Sequence, residues 1–196
     1  LSVFLQGMKK IAILASGNGS NAENLIKFFK NSDCAQVSYV ICNKKEAGIY
    51  DRCKNLNIPC HYFTNQSFDT GEVQKFMINE KTDLIVLAGF LHLIPKAMVQ
   101  HFQGKMVNIH PSLLPAFGGK GMYGMKVHQA VIASGATESG ITIHLVNENF
   151  DEGEILFRAH VSIEAGDDAV KLQSNIAKLE MQYYPEIVEK LCRQLS

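Results

Sequence analysis

Three short stretches hold residues whose types and spacing could do chemistry. The first is Ser16-Gly-Asn-Gly-Ser-Asn21, placed between a short apolar run, Ile11 to Ala15, and residues at helical spacing, Ala22, Leu25, Ile26 and Phe29. Strand, Gly-rich turn and helix in that order put free backbone N–H groups and a positive dipole end at the turn, where a phosphate is the natural guest. A plain tight turn with Ser20 or Asn21 as helix N-cap fits the same residues. The second stretch is Asn108-Ile-His-Pro-Ser-Leu-Leu-Pro115. On a strand the side chains of Asn108 and His110 share one side, so an amide donor and a titratable imidazole face one small volume. Such a pair could stabilise an oxyanion and shuttle a proton, or could be a polar strand end with satisfied side chains. The third is the acidic turn Asn147-Glu-Asn-Phe-Asp-Glu-Gly153, with His144 just before it. A solvated hairpin loop fits it equally. His110, His144 and Asp151 could be imagined around a metal, but they form no compact ligand motif of the usual kind, and no metal is expected.

The elements that must position these stretches alternate. Val37 to Cys42, Ile58 to Phe63, Leu84 to Ala88 and Lys105 to Ile109 read as strands, with helical spacing over 47–56, over 73–79 and from Pro95. Ser112 to Gly124 reads as a Gly- and Pro-rich loop, either a mobile cover or a connector, and Met125 to Ser134 as a helix. Ile141 to Val146 and Ile155 to Val161 alternate and could pair, and a long helical pattern runs from Ala169 to Leu195 with Pro185 as a kink or break. The expectation is an α/β fold, a mainly parallel twisted sheet flanked by helices in one domain, with a Rossmann-like N-terminal half. Ligands in such sheets bind beyond the carboxyl ends of the strands, where all three stretches fall.

Composition narrows the function. The chain has 196 residues, 46% hydrophobic and 19% charged, with zero formal net charge, so an anionic ligand must be held by a local site. No nucleic-acid partner is expected. No apolar run reaches the ~18 residues of a membrane span. Five cysteines, an odd number without a Cys-x-x-Cys pair, suggest reduced thiols in the cytoplasm. Residues 1–7 read as a cloning remnant ahead of a native start at Met8, leaving 8–196 as the domain.

The ordered set Ser16 to Asn21, Leu87-Ala-Gly-Phe90, Asn108 to Pro115 and Gly140-Ile-Thr-Ile-His144 ending in Phe150-Asp-Glu-Gly153 resembles the folate-dependent formyltransferases over nearly the whole chain. The first loop narrows the resemblance to the branch that acts on glycinamide ribonucleotide. The resemblance implies transfer of a formyl group from 10-formyltetrahydrofolate, as co-substrate, to the primary amine of 5'-phosphoribosylglycinamide in purine biosynthesis. It implies a catalytic trio of Asn108, His110 and Asp151, with His110 protonated and His144 supporting. Gly19, Ser20 and Asn21 match its phosphate loop, with Ala22 and Glu23 beside it, and Glu180 matches the acid that receives the glycinamide end. Leu91, His92, Leu93 and Ile94, together with Asn108 and with Asn147, Glu148, Asn149, Phe150 and Asp151, match the folate site. Some members carry Arg where His92 stands. A tRNA-formylating relative normally has a further C-terminal domain, which is not expected at this length; a folate hydrolase, which usually has an extra N-terminal domain, is a further possibility, and monomer and homodimer both remain open.

Overall fold

A computed structural model describes residues 7–195, so of the expected remnant only Gly7 lies within the described residues. The strands are β1 (Lys9–Ala15), β2 (Ala35–Cys42), β3 (Cys60–Tyr62), β4 (Leu84–Leu87), β5 (Met106–His110), β6 (Glu138–Leu145) and β7 (Ile155–Ser162). The helices are α1 (Ser20–Phe29), α2 (Ile49–Leu56), α3 (Asn65–Asp69), α4 (Glu72–Asn79), α5 (Lys96–His101), α6 (Met125–Ala133) and α7 (Ala169–Gln194). The sheet order is β3-β2-β1-β4-β5-β6-β7.

The expected α/β fold in one domain, a mainly parallel sheet flanked by helices, holds, and the chain falls into two compact units, one holding residues up to Phe90 and those from Pro185 onward, the other Leu91–Tyr184. In the first, β1 pairs in parallel with both β2 and β4, and β2 with β3, the order of a mononucleotide-binding half. β1 is apolar on both faces because both are covered, and Ile11, Ile13 and Leu14 are wholly buried. α1 adds Ala22, Leu25, Ile26 and Phe29 to that core, each large side chain worth about 1.5–3 kcal/mol of burial. In the second unit β6 pairs antiparallel with both β5 and β7, so the expected pairing of the last two strands holds. Tyr184 of α7 is fully buried and donates its hydroxyl to the Val107 carbonyl at 3.2 Å, fastening the helix to β5.

Local departures from the sequence reading have local causes. α3 went unread because it is short; its start is marked by Thr64, whose side chain accepts from the Ser67 amide. β6 begins at Glu138, ahead of the alternating apolar residues, and Gly140 lets it pass β7, since a Cβ there would lie 2.0 Å from the Ala159 carbonyl oxygen. Neither Ser20 nor Asn21 caps α1; the N-cap is Gly19, at φ 78°, without a side-chain bond. Pro95 is likewise the N-cap of α5 and precedes its first turn. Pro185 lies inside an unbroken helix. Its missing N–H costs one helical bond, which packing on either side of it can sustain. Among the described residues no helix is long and apolar enough to cross a membrane.

Candidate active site

The second unit brings Asn108, His110, His144 and Asp151 into one cluster. Antiparallel register sets Asn108 opposite His144 and His110 opposite Thr142. The Asn108 amide nitrogen Nδ2 lies 3.1 Å from His144 Nε2 and donates to Asp151 Oδ1 at 3.3 Å. His110 Nδ1 is 3.3 Å from Asp151 Oδ2, and His110 Nε2 is 2.8 Å from the Phe117 carbonyl oxygen. Asp151 is held at φ 57°, a left-handed conformation that turns its carboxylate back toward β5. Gly153 makes that turn possible, because a Cβ there would fall 1.7 Å from the Leu145 carbonyl oxygen.

The protonation states follow from these partners. A carbonyl can only accept, so His110 Nε2 carries a proton for Phe117, and His144 Nδ1 carries one for the Leu145 carbonyl at 2.8 Å. Burial holds the His110 pKa below its ordinary value of 6.5, against the opposing pull of the Asp151 charge and the Phe117 carbonyl. The ring is therefore neutral near pH 7 in the free protein, where the sequence reading expected a cation, because desolvation of a side chain only 4% exposed outweighs the neighbouring carboxylate. Burial also disfavours the Asp151 charge, but the two histidine rings and the Gly119 amide outweigh it and hold the carboxyl below the usual range. Asp151 is thus an anion beside a neutral ring whose Nδ1 is open to a proton. Asn108 differs from expectation too: both its N–H groups have partners within the protein, the longer contact going to Asp151.

Sequence reasoning missed three contributors. Thr142 is fully buried, accepts from the Leu114 amide at 2.9 Å and donates to the Ser112 carbonyl at 2.7 Å, pinning the turn that follows His110. Its position two residues before His144, on the same strand face, was the available signal. The Phe117 carbonyl and the Gly119 amide, which donates to Asp151 Oδ2 at 2.9 Å, are backbone groups that no side-chain pattern could reveal. They show that the Gly-rich stretch packs on the cluster and is no bare connector.

The expected phosphate loop lies in the first unit, at the β1–α1 turn. Gly19 is glycine for two reasons: its φ of 78°, and the Ile49 Cδ1 atom 2.3 Å from where a Cβ would sit. Replacing Gly19 with Val is therefore expected to displace the loop from α2 and to raise the Michaelis constant for a phosphorylated substrate about tenfold or more, a loss comparable to one charge-assisted contact. Steady-state kinetics on the variant check this; unchanged constants would show that the loop takes no part. Ala22 is buried in the α1 core face, and Glu23 is engaged by Lys27 and Arg52.

The remaining expected residues also have clear places. Leu91 and Leu93 are 44% and 40% exposed, whereas Ile94 is buried at 3%. His92 lies between the two leucines and is half-buried. Glu148 is bonded by Lys96 at 2.9 Å and by Gln100 at 3.3 Å, which ties the 147–151 turn to α5. Asn149 donates its backbone N–H to Asn147 Oδ1 and its side chain to Glu152, closing that turn on itself, and Phe150 is half-buried within it. Glu180 stands one helical turn before Tyr184 on the same face of α7. His110 and His144 approach different oxygens of Asp151 and present no shared metal position. Among the described residues the metal-compatible group is Asp33, Cys34 and Glu189, where Arg193 already bonds both carboxylates.

Comparison with known proteins shows the family of the chain. The formyl transferase family matches residues 9–188. A chloroplastic phosphoribosylglycinamide formyltransferase from Vigna unguiculata is 41% identical over 192 residues, 95% of this chain and 62% of the relative. The chain spans 66% of the Arabidopsis thaliana counterpart, so it covers under two thirds of either plant protein. The Bacillus subtilis phosphoribosylglycinamide formyltransferase is 34% identical over 191 residues, 94% of this chain and 95% of the relative. The crystal structure of the Bacillus halodurans phosphoribosylglycinamide formyltransferase superposes with a TM-score of 0.86 at 32% identity, covering 96% of this chain and 97% of that one. The chain belongs to the formyl transferase family, and over most of its length it is similar to members named phosphoribosylglycinamide formyltransferase.

Proposed function

We propose that the protein transfers the formyl group of 10-formyltetrahydrofolate to the amine of 5'-phosphoribosylglycinamide, with Asn108, His110 and Asp151 as catalytic residues. The observation that carries the reading is the anionic Asp151 set against a neutral His110 whose other nitrogen already bears a proton. The amine attacks the formyl carbon and a tetrahedral oxyanion forms. Asp151 takes the proton shed by the amine, through water, and passes it to His110 Nδ1. The ring becomes a cation, and its Nε2–H turns from the Phe117 carbonyl to the oxyanion and then supplies the proton that the leaving folate nitrogen needs. The ring is left neutral with its proton on Nδ1, and exchange with water returns a proton to Nε2 for the next cycle, so the step closes with no covalent enzyme intermediate and no metal. Asn108 orients Asp151 and His144, and gives the oxyanion the N–H of its longer contact.

On this reading Gly19, Ser20 and Asn21 hold the phosphate, Glu180 receives the glycinamide end, and Leu91 to Ile94 with Asn147 to Asp151 take the pterin. Free thiols at all five cysteines suit a cytoplasmic setting. The absorbance of a formyl-folate analogue tests the assignment: it should change only when glycinamide ribonucleotide is present. A change with water alone would mark a hydrolase.

A further inference from the structure

We propose that Arg52 is the positioning residue of the phosphate loop, acting through the Asn18 carbonyl and the Glu23 carboxylate; this rests on the reading of residues 17–21 as a phosphate seat. Arg52 Nε donates to the Asn18 carbonyl at 2.7 Å, and its Nη1 is ion-paired with Glu23. One turn earlier on the same helix, the Ile49 amide donates to the Gly17 carbonyl at 3.3 Å. α2 therefore holds two successive loop carbonyls on its own side. A trans peptide points its C=O and N–H in opposite directions. Pinning the carbonyls of Gly17 and Asn18 thus turns the N–H groups of Asn18 and Gly19 away from α2, as a pair of successive amides of the kind that binds anions.

The fit between helix and loop is close on both sides of that pair. Ile49 fills the place a Gly19 side chain would need, and a Cβ on Gly48 would lie 2.8 Å from Asn18 Oδ1. The second part of the role is electrostatic. Glu23 sits in the first turn of α1, where its charge suits the helix dipole but repels a phosphate arriving at the same N-terminus. Arg52 offsets that charge together with Lys27 while its Nε holds the carbonyl, a two-handed task that the guanidinium fork performs and an ammonium group does not.

The test uses the full chain as wild type, Arg52→Ala and Arg52→Lys. Arg52→Ala should raise the Michaelis constant for glycinamide ribonucleotide and the inhibition constant of inorganic phosphate together, each about tenfold, the size of one charge-assisted hydrogen bond. Turnover at saturation and the constant for the formyl-folate should stay within about twofold, since neither depends on the loop amides. Arg52→Lys should fall between, keeping the charge and losing the fork. Binding of inorganic phosphate, followed by phosphorus NMR, reads the same loss without any turnover. Weakened phosphate binding in the variants, with a wild type that binds phosphate but transfers no formyl group, would support Arg52 and sink the formyl-transfer reading. Unchanged phosphate constants in both variants overturn the proposal, as does a parallel shift of both substrates' constants, turnover and melting temperature, which marks a residue that only supports the fold.

Discussion

His110→Ala is expected to lower turnover by about 100-fold or more, the usual cost of removing one donor to a developing oxyanion. The variant loses that donor and the ring that relays a proton between Asp151 and the leaving nitrogen, so the loss should exceed that of Asn108→Ala. In Asn108→Ala the donor to Asp151 Oδ1 goes, and His144 Nε2 loses the partner now 3.1 Å away. Both side chains lie at the end of β5 with their backbone in the sheet, so both variants should keep the fold. Purified proteins with unchanged circular dichroism and melting temperature, assayed at saturating substrates, give the comparison. Near-normal turnover in either would remove that residue from the chemistry.

Asp151→Asn should separate the charge of this residue from its shape. The amide keeps the contact with the Gly119 N–H but cannot take a proton from the amine, so turnover should fall steeply, about 100-fold, while nucleotide affinity changes little. The pH profile carries the sign. His110 must be neutral to accept a proton, and its pKa in the folded protein lies below 6.5, so activity should be lost as pH falls through a midpoint under that value. The Asp151 charge pushes that pKa up; without it, only the Phe117 carbonyl opposes burial and the midpoint should move to lower pH. A midpoint that rises, or turnover that survives while nucleotide affinity collapses, would make Asp151 a binding residue.

Much of this was legible in the residues. The apolar runs that became β1, β2 and β4 could be read because strands covered on both faces are apolar throughout, and α1 because its buried face repeats at helical spacing. The Asn108–His110 pair could be read from the two-residue period of a strand. Its completion could not. His144 joins Asn108 only through the β5–β6 register, and Asp151 returns to His110 only because the chain turns left-handed there and passes tightly at Gly153. Protonation was out of reach for the same reason: nothing in the sequence says that His110 is buried enough for desolvation to win over its carboxylate. Arg52 carried no motif, since its work is done on a backbone carbonyl.

The most direct test of the central claim is to follow the carbon itself. With 13C in the formyl group of the folate and glycinamide ribonucleotide as acceptor, the label should appear as a formamide on the nucleotide's amine, in proportion to folate consumed and only with enzyme present. Label released as formate, with the nucleotide unmodified, would contradict formyl transfer to this amine.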